Sequence, residues 1–274
     1  MKIDAITPNI GAEISDISLN KGLNNDIGEQ IYNALIKYQV IFFRDQELTP
    51  DTHMQLAETF GDPEPPHPIY PHVDGHDKIV LLKNNEDAPP DTNDWHKDMT
   101  FRTNPPFASI LYAVSVPDAG GDTLWSSMSA AYSKLHDSMK EQLDGLEAIN
   151  DMGSFRNNYY STGGIDSVNN ALKSVGSAVH KVIETHPISG LKYINVNQSF
   201  TRNIIDESQG ESDHILQFLY HHIYKPEFQV RFRWRNHSVA IWDNRITQHY
   251  AVADYLPNNR HMHRVTVIND KKAL

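Results

Sequence analysis

The clearest constraint on the fold is a strict alternation of side chains near residue 230. Phe228, Val230, Phe232 and Trp234 alternate with Gln229, Arg231, Arg233 and Arg235. Successive side chains of a β-strand point to opposite faces, so this stretch predicts a strand with one buried face. Short apolar runs predict further strands at residues 39–43, 79–82, 109–116, 239–242 and 264–268, with a hairpin over 188–197 that turns at Ser189-Gly190.

Helices are fewer than strands in this reading. Helical spacing of apolar residues predicts helices over 26–38, 50–60, 127–145 and 211–224. Residues 63–72 and 85–94 read as loops, and the Asn-, Ser- and Gly-rich residues 150–180 predict a mobile segment. Many short strands with a few helices outside them predict a mainly β fold with flanking helices, arranged as a jelly-roll barrel. The sequence shows no division between its halves, so residues 1–274 are predicted to form one domain.

Charge and composition narrow the function. The formal net charge of −11 argues against nucleic acid or an anionic membrane as a partner. The N-terminus has no apolar run typical of a signal peptide and no stretch is long enough to cross a membrane, so we expect a cytoplasmic protein. The chain has no cysteine, so any metal must be held by His, Asp or Glu.

Two His-x-Asp motifs are candidates for a metal site. His96-Lys97-Asp98 is followed by strand-like residues, and residues i and i+2 of a strand share a face. His72-Val73-Asp74 lies between Pro71 and Gly75, which indicates a turn. Two histidines and one carboxylate on one face of an octahedron leave three positions open, as in non-haem Fe(II) oxygenases. The first motif is therefore preferred, although an isolated His-x-Asp is more often a surface pair.

A third ligand must come from elsewhere in the chain. His249 follows the predicted strand at 239–242 and is a candidate, with an ordinary hydrogen-bonded histidine as the alternative. Arg260 and Arg264 follow it by eleven and fifteen residues. A guanidinium suits carboxylate or sulfonate recognition because it donates two parallel hydrogen bonds. Asp243 is a weaker candidate, for orienting a metal ligand.

Six blocks of this sequence together resemble the taurine dioxygenase family. They are Trp95-His96-Lys97-Asp98-Met99-Thr100-Phe101, Gly120-Gly121-Asp122-Thr123-Leu124-Trp125, Thr185-His186-Pro187, Lys225-Pro226-Glu227-Phe228-Gln229-Val230-Arg231, Trp242-Asp243-Asn244-Arg245 and Thr247-Gln248-His249-Tyr250-Ala251. The resemblance runs from near the N-terminus to about residue 270. It implies a double-stranded β-helix fold and a dioxygenase that uses Fe(II), 2-oxoglutarate and O2.

The resemblance also assigns residues. It implies that His96, Asp98 and His249 bind iron and that Thr123 and Arg260 meet the distal carboxylate of 2-oxoglutarate. The substrate-binding residues that we expect on this basis are His67, Tyr70, Thr92, Asn93, Met99, Phe155, Phe200 and Arg264. Within that set, His67 and Arg264 would hold a sulfonate, which would favour a charged His67 imidazole.

One position departs from the family. An asparagine near the substrate amine is expected four residues before the first metal histidine, where this chain has Thr92 with Asn93 beside it.

The resemblance as a whole implies hydroxylation next to the sulfonate of taurine or a similar small sulfonate, giving sulfite and an aldehyde with succinate and CO2. An alkyl-sulfate or aryloxyalkanoate dioxygenase is the alternative; a non-catalytic barrel that binds a metal or organic anion and a zinc hydrolase are weaker ones. We expect a homo-oligomer, dimer or tetramer.

Overall fold

The structure is a computed structural model that describes residues 1–90, 94–174 and 176–273. The strands are β1 (Lys2–Ala5), β2 (Ala12–Ser15), β3 (Val40–Phe43), β4 (His72–Val73), β5 (His76–Asn84), β6 (Ala108–Ser115), β7 (Thr123–Ser127), β8 (Glu147–Asp151), β9 (Ser177–Lys181), β10 (Ile183–Thr185), β11 (Lys192–Ile194), β12 (Thr201–Ile204), β13 (Gln229–Phe232), β14 (Val239–Asp243), β15 (Thr247–Ala251) and β16 (Arg260–Val267). The α-helices are α1 (Asn25–Tyr38), α2 (Pro50–Phe60), α3 (Met128–Ser133), α4 (Asp137–Leu143), α5 (Arg156–Ser174) and α6 (Gln209–Ile223). Short 3-10 turns cover Leu19–Lys21, Gly153–Phe155 and Pro226–Phe228.

The helices predicted at 26–38, 50–60 and 211–224 are confirmed as α1, α2 and α6, and their ends carry local signals. Thr49 caps α2 and Pro50 opens it, where a missing backbone N–H costs nothing. Ser208 and Glu211 form a reciprocal capping box at the start of α6. These caps satisfy amide groups that the first helical turn leaves without partners.

Residues 127–145 do not form the single helix that was predicted. They form two helices, α3 and α4, because the His136 side chain accepts a hydrogen bond from the Ser138 N–H and starts a new helix there. Residues 150–180, where the sequence predicted a mobile segment, contain the whole of α5 and parts of β8 and β9, with non-helical backbone at Gly163 and Gly164 inside α5. Ala171 of α5 packs with Met152 and other buried residues, a tertiary contact that periodicity did not indicate.

A large sheet and a small sheet form the centre of the molecule. The large sheet has the order β1-β2-β3-β14-β6-β16-β5-β4, antiparallel except for the β2–β3 pair, and the small sheet has the order β13-β7-β15. Two other small sheets, β12-β8-β9 and β10-β11, lie outside this pair. The strand predicted at 228–235 is confirmed over Gln229–Phe232 as β13, whereas Phe228 lies in the preceding 3-10 turn and residues 233–235 follow the strand.

Both faces of the large sheet are buried, which explains its continuous apolar runs. On one face Ile41 and Ile241 share a core with residues of α1 and α2. On the other face Phe42 and Trp242 pack against Trp125 of the small sheet. No helix within the described ranges is long and apolar enough to cross a membrane.

Candidate metal centre and substrate cavity

A cavity of about 380 Å³ includes residues of both central sheets in its wall. The predicted site residues that line it are His67, Tyr70, His96, Asp98, Met99, Thr123, Phe155, Phe200, His249, Arg260 and Arg264. They come from loops, from β7 and β15 of the small sheet, and from β16 of the large sheet. The two remaining predicted residues, Thr92 and Asn93, lie outside the described residues. Folding thus brings together side chains that are widely separated in sequence.

Three ligand atoms converge at the inner end of this cavity. Asp98 Oδ1 lies 3.6 Å from His96 Nε2 and 3.9 Å from His249 Nε2. All three residues are buried, and each ligand atom lies within 4.8 Å of the others. Donor atoms that bind one metal at about 2.1 Å lie about 3 Å apart at adjacent octahedral positions, so a small contraction would suit a single ion.

Backbone hydrogen bonds tie the two histidines to each other. The His96 N–H donates to the His249 carbonyl at 3.0 Å, and the His249 N–H donates to the His96 carbonyl at 2.9 Å. This bridge is isolated, and Asp98 already belongs to a turn that places Met99 at a φ of 51°. The prediction that His96 and Asp98 share a regular strand is therefore wrong, although the two side chains do converge.

The carboxylate of Asp98 is held so that one oxygen faces the two histidines. Ser109 donates a hydrogen bond to Oδ2 at 3.1 Å, which leaves Oδ1 directed to the imidazoles. The Asn244 amide accepts from the Asp98 backbone N–H at 2.9 Å and donates to the Asp98 carbonyl at 3.1 Å. Asn244 and Ser109 are therefore positioning residues, and the sequence had shown Asn244 only as part of a family block.

The electrostatics of the three residues suit a divalent cation. Burial, followed by the neighbouring His96, lowers the pKa of His249 to about 3, so its imidazole is neutral and can bind a metal. Burial alone would raise the pKa of Asp98, but His249, Arg264 and His96 outweigh it and the net pKa is lowered. His96 Nδ1 lies 2.8 Å from the Asp94 carbonyl, which fixes the proton on Nδ1 and leaves Nε2 as the ligand. Two imidazole Nε2 atoms and a carboxylate oxygen are a ligand set that fits Fe(II).

The second His-x-Asp motif does not form such a site. His72 lies half-buried in β4, and Asp74 is exposed in the turn before Gly75. Among the described residues, the group that could hold a metal is His96, Asp98 and His249. The preference for the first motif therefore agrees with the structure.

Asp243 does not orient a metal ligand, contrary to the expectation from the sequence. Its fully buried carboxylate lies 3.0 Å from His186 Nε2 and accepts from the Arg245 guanidinium at 2.6 Å. Arg245 in turn reaches Asp270 at 2.8 Å. These contacts stabilise the turn between β14 and β15, which precedes His249 in the chain.

Lys97 lies between His96 and Asp98 in the sequence, and its side chain is buried. Its buried ammonium donates to Asn195 Oδ1 at 2.6 Å and lies 5.1 Å from the centre of the Tyr193 ring. Burial lowers the pKa of Lys97 to about 7. The amine therefore lies on the side of its chain segment that is remote from the converging ligand atoms.

Arg260 is a buried cation with no acidic partner in the described ranges. Its side chain is buried in the cavity wall, its Nε has no hydrogen-bond partner, and burial lowers its pKa to about 10. Such an unpaired charge is costly unless an anion completes the site. Thr123, also in the wall, accepts a hydrogen bond from Trp234 Nε1 at 3.0 Å. Together these groups fit the distal carboxylate of 2-oxoglutarate.

A second arginine lies near the converging ligands. Arg264 NH1 is 4.0 Å from Asp98 Oδ1, and its guanidinium lies 5.9 Å from the Tyr70 ring centre. The Tyr70 ring is 4.7 Å from the ring of His67, which also lines the cavity. These contacts place a second guanidinium beside the candidate metal centre, next to the rings of Tyr70 and His67.

The protein surroundings of His67 favour a neutral imidazole, whereas the sequence predicted a charged one beside a bound sulfonate. Its Nδ1 accepts hydrogen bonds from the N–H groups of Ile69 and Tyr70, both at 3.2 Å. Burial, followed by the nearby charge of Arg264, lowers its pKa to about 3. The single proton is therefore on Nε2, and His67 acts as a neutral hydrogen-bond donor.

Aromatic side chains form one wall beside these groups. The Phe155 ring lies 6.1 Å from His67 and 6.2 Å from Phe101, and the Phe200 ring lies 5.1 Å from Phe101. Met99 and Phe200 belong to the same buried cluster. The predicted assignment of Met99, Phe155 and Phe200 to the cavity therefore agrees with their positions.

The outer part of the cavity is apolar on one side. Its wall there contains Pro71, Leu81, Leu82, Ala88, Pro89 and Pro90, with Lys83 and Asn84 as polar residues. A turn closed by the Asn85 N–H on the Ala88 carbonyl shapes this edge. Of the described residues that line the cavity, Asp98 alone is acidic. A carboxylate partner for a substrate ammonium group is thus missing from the described wall.

The comparisons with known proteins agree with this site. The chain belongs to the taurine catabolism dioxygenase TauD, TfdA family, which it matches over residues 2–266. It is 34% identical to an alkylsulfatase from Acinetobacter baylyi, over 98% of this chain and 86% of that protein. It is also 34% identical to an alpha-ketoglutarate-dependent sulfate ester dioxygenase from Pseudomonas putida, over 98% and 90%. A taurine dioxygenase from Burkholderia xenovorans has a similar structure, with a TM-score of 0.84, 33% identity and coverage of 98% and 89%.

Proposed function

We propose that this protein is an Fe(II)- and 2-oxoglutarate-dependent dioxygenase that oxidises a small organosulfur anion. The observation that carries the proposal is the convergence of His96, Asp98 and His249 beside two separate arginines. A metal centre with two anion sites suits an enzyme that binds two different anions at once. Family membership and the names of the relatives support the same reaction class.

The first anion is 2-oxoglutarate. His96, Asp98 and His249 would hold the iron, and Arg260 with the Thr123 hydroxyl would bind the distal carboxylate of 2-oxoglutarate. Bound iron supplies the oxidation by O2 that converts 2-oxoglutarate to succinate and CO2 and hydroxylates the substrate. The protein's own part is to bind both anions, keep the His249 imidazole neutral and enclose the reacting carbon in a buried cavity.

The second anion is the substrate. Arg264 and the Nε2–H of His67 would hold a sulfonate or sulfate group, and Tyr70, Phe155, Phe200 and Met99 would surround the carbon that is oxidised. Hydroxylation of a carbon bonded to a sulfonate sulfur ends in an aldehyde and sulfite. Hydroxylation of a carbon bonded to a sulfate ester oxygen ends in an aldehyde and sulfate.

The apolar outer wall favours substrates with an apolar tail. The side chains of Leu81 and the Pro89-Pro90 pair have no hydrogen-bond acceptor for an ammonium group, and Lys83 would repel one. We therefore propose that alkanesulfonates and alkyl sulfates are better substrates than taurine. The expectation that taurine itself is the substrate is the second candidate, supported by the likeness to a taurine dioxygenase. Recognition by Thr92 or Asn93 belongs to that candidate.

The fold, the number of domains and the oligomeric state of the chain are part of the same proposal. We expect the two central sheets to form a double-stranded β-helix within one domain of residues 1–274, which the mainly antiparallel pairing of both sheets supports. A cytoplasmic homo-oligomer, dimer or tetramer, is expected as well. Sedimentation of the purified protein measures its mass and tests that expectation directly.

A substrate panel tests the function. Purified protein with Fe(II) and 2-oxoglutarate is offered taurine, an alkanesulfonate series and an alkyl sulfate series, and succinate, sulfite and sulfate are measured. We expect succinate with stoichiometric sulfite or sulfate from the compounds with apolar tails. Succinate formation without either sulfur anion would contradict the organosulfur substrate, and no 2-oxoglutarate consumption under any condition would contradict the dioxygenase.

A further inference from the structure

Trp234 contacts both groups that would hold the distal carboxylate of 2-oxoglutarate. Its indole Nε1–H donates to Thr123 Oγ1 at 3.0 Å, and its ring centre lies 5.9 Å from the Arg260 guanidinium carbon. Trp234 is 3% exposed and follows β13, whose Phe232 pairs with Thr123 in the sheet register. No sequence argument had given this residue more than a place in a buried face.

The hydrogen bond has a directional consequence. A threonine hydroxyl can accept through its lone pairs and donate its single proton. Because Trp234 has an N–H and no acceptor, Thr123 must accept in this pair. The hydroxyl proton then stays free, and Thr123 has no acceptor for it among the described residues. A side chain fixed in this way presents a donor to the cavity that it lines.

We propose that Trp234 is a positioning residue for the co-substrate: its indole N–H sets Thr123 as a hydrogen-bond donor, and its ring supports Arg260, so that both face one carboxylate. The inference rests on the proposed use of 2-oxoglutarate. Without the indole N–H, the Thr123 hydroxyl can rotate and donate elsewhere, so its proton is no longer oriented toward the carboxylate. The ring contact is close to the distance limit for a cation–π interaction and is the smaller contribution.

The chain offers a matched control. Trp125 is also buried and its ring lies 6.5 Å from Trp234, but its Nε1 has no hydrogen-bond partner. Trp125→Phe and Trp234→Phe therefore remove the same atoms from the same core, and only the second removes a hydrogen bond to Thr123. Phenylalanine keeps a ring near Arg260, so the comparison isolates the indole N–H.

The experiment measures binding in the absence of turnover. Protein loaded with Mn(II) is titrated calorimetrically with N-oxalylglycine, which carries the chelating group and the distal carboxylate of 2-oxoglutarate, and with oxamate, which lacks the distal carboxylate. We expect Trp234→Phe to weaken N-oxalylglycine binding about fivefold, the usual effect of one hydrogen bond. Oxamate binding should not change. Trp125→Phe should bind both compounds as the wild type does.

Variants of Thr123 complete the test and do not require Trp234→Phe to fold. Thr123→Val should weaken N-oxalylglycine binding at least as much as Trp234→Phe, Thr123→Ser should keep most of it, and the double variant Thr123→Val/Trp234→Phe should resemble Thr123→Val alone. The inference is overturned if Thr123→Val binds like the wild type, if Trp125→Phe loses as much as Trp234→Phe, or if oxamate binding falls equally. Failure of the wild type to bind N-oxalylglycine at all would instead overturn the proposed function.

Discussion

The inner and outer ends of the cavity are built on opposite principles. At the inner end, the Nε atoms of Arg260 and Arg264 are buried and have no hydrogen-bond partners among the described residues. At the outer end, the side chains of Leu81 and the Pro89-Pro90 pair are apolar, and Lys83 and Asn84 are the polar residues of that wall. Unpaired buried polar groups destabilise a fold unless a ligand completes them, so the inner end is specialised for bound ions. The apolar outer end limits the size and polarity of the substrate tail but does little to orient it.

This contrast suggests that the two ends serve different parts of the function. The inner end determines which reaction occurs, because it would hold the metal, the co-substrate and the reacting anion. The outer end determines which tail follows the anion into the cavity. Variants at the inner end should therefore lower the activity on all substrates. Variants at the outer end should change only which substrate is preferred.

The largest effect is expected from the metal ligands. His96→Ala or Asp98→Ala should abolish iron binding and turnover, because each removes one of three converging ligand atoms. His72→Ala and Asp74→Ala are the matched controls from the second His-x-Asp motif and should bind one iron per chain. Metal content measured after Fe(II) loading and desalting decides this, and loss of iron in the controls would show that the sites are misassigned.

The next effect should separate the two arginines. Arg260→Gln should raise the KM for 2-oxoglutarate by roughly 30-fold or more, since a charge-assisted contact of about 2–4 kcal/mol is lost. Arg264→Gln should raise the KM for the sulfur-containing substrate instead. Steady-state kinetics with each substrate varied in turn measures both. Equal effects of one variant on the two KM values would contradict the division of the cavity into two anion sites.

A smaller effect is expected at His67, together with a specific pH dependence. A pKa lowered to about 3 keeps the imidazole neutral throughout the pH range 6–8, so His67 should contribute no ionisation to substrate binding there. His67→Gln, which keeps an N–H donor, should show the same pH profile of kcat/KM, and His67→Phe should lose about tenfold at every pH, close to the net value of one hydrogen bond to a charged group. A profile that falls with an apparent pKa near 6.5 only when His67 is present would mean that the charged form binds.

The smallest effect should come from the outer wall. Leu81→Asp places a carboxylate there and should improve taurine relative to an alkanesulfonate of the same length by about two- to fivefold, as expected for a partly exposed ion pair. Leu81→Asn has nearly the same shape without the charge and should leave the ratio of the two kcat/KM values close to that of the wild type. If Asn and Asp shift the ratio equally, polarity alone governs the choice of tail.

The sequence predicted the chemistry of the cavity better than its geometry. His96, Asp98, His249 and Arg260 could be assigned because six sequence blocks together resemble those of a known family, although the His-x-Asp motif alone is weak. The contacts of Ser109 could not, because a serine in an apolar strand has no distinctive pattern and its role depends on where Asp98 lies in space.

The differences between the sequence predictions and the structure have physical causes of the same kind. A neutral His67 depends on burial and on two backbone N–H groups, neither of which sequence periodicity contains. Ala171 of α5 packs into a cluster with residues that are distant in the chain, so local composition did not indicate this helix.

The buried amine of Lys97 has a practical consequence. Lys97 lies between two candidate metal ligands in the sequence, its side chain is buried, and its ammonium group is held by Asn195. Amine-reactive reagents will modify exposed lysines such as Lys134 and Lys173 first and reach Lys97 only when the ligand segment opens. The extent of acylation at Lys97, followed by mass spectrometry over time, therefore reports how often that segment leaves its native position. Bound metal and 2-oxoglutarate should slow the labelling of Lys97 without affecting the exposed lysines. The exposed lysines therefore serve as an internal reference for the rate of local opening.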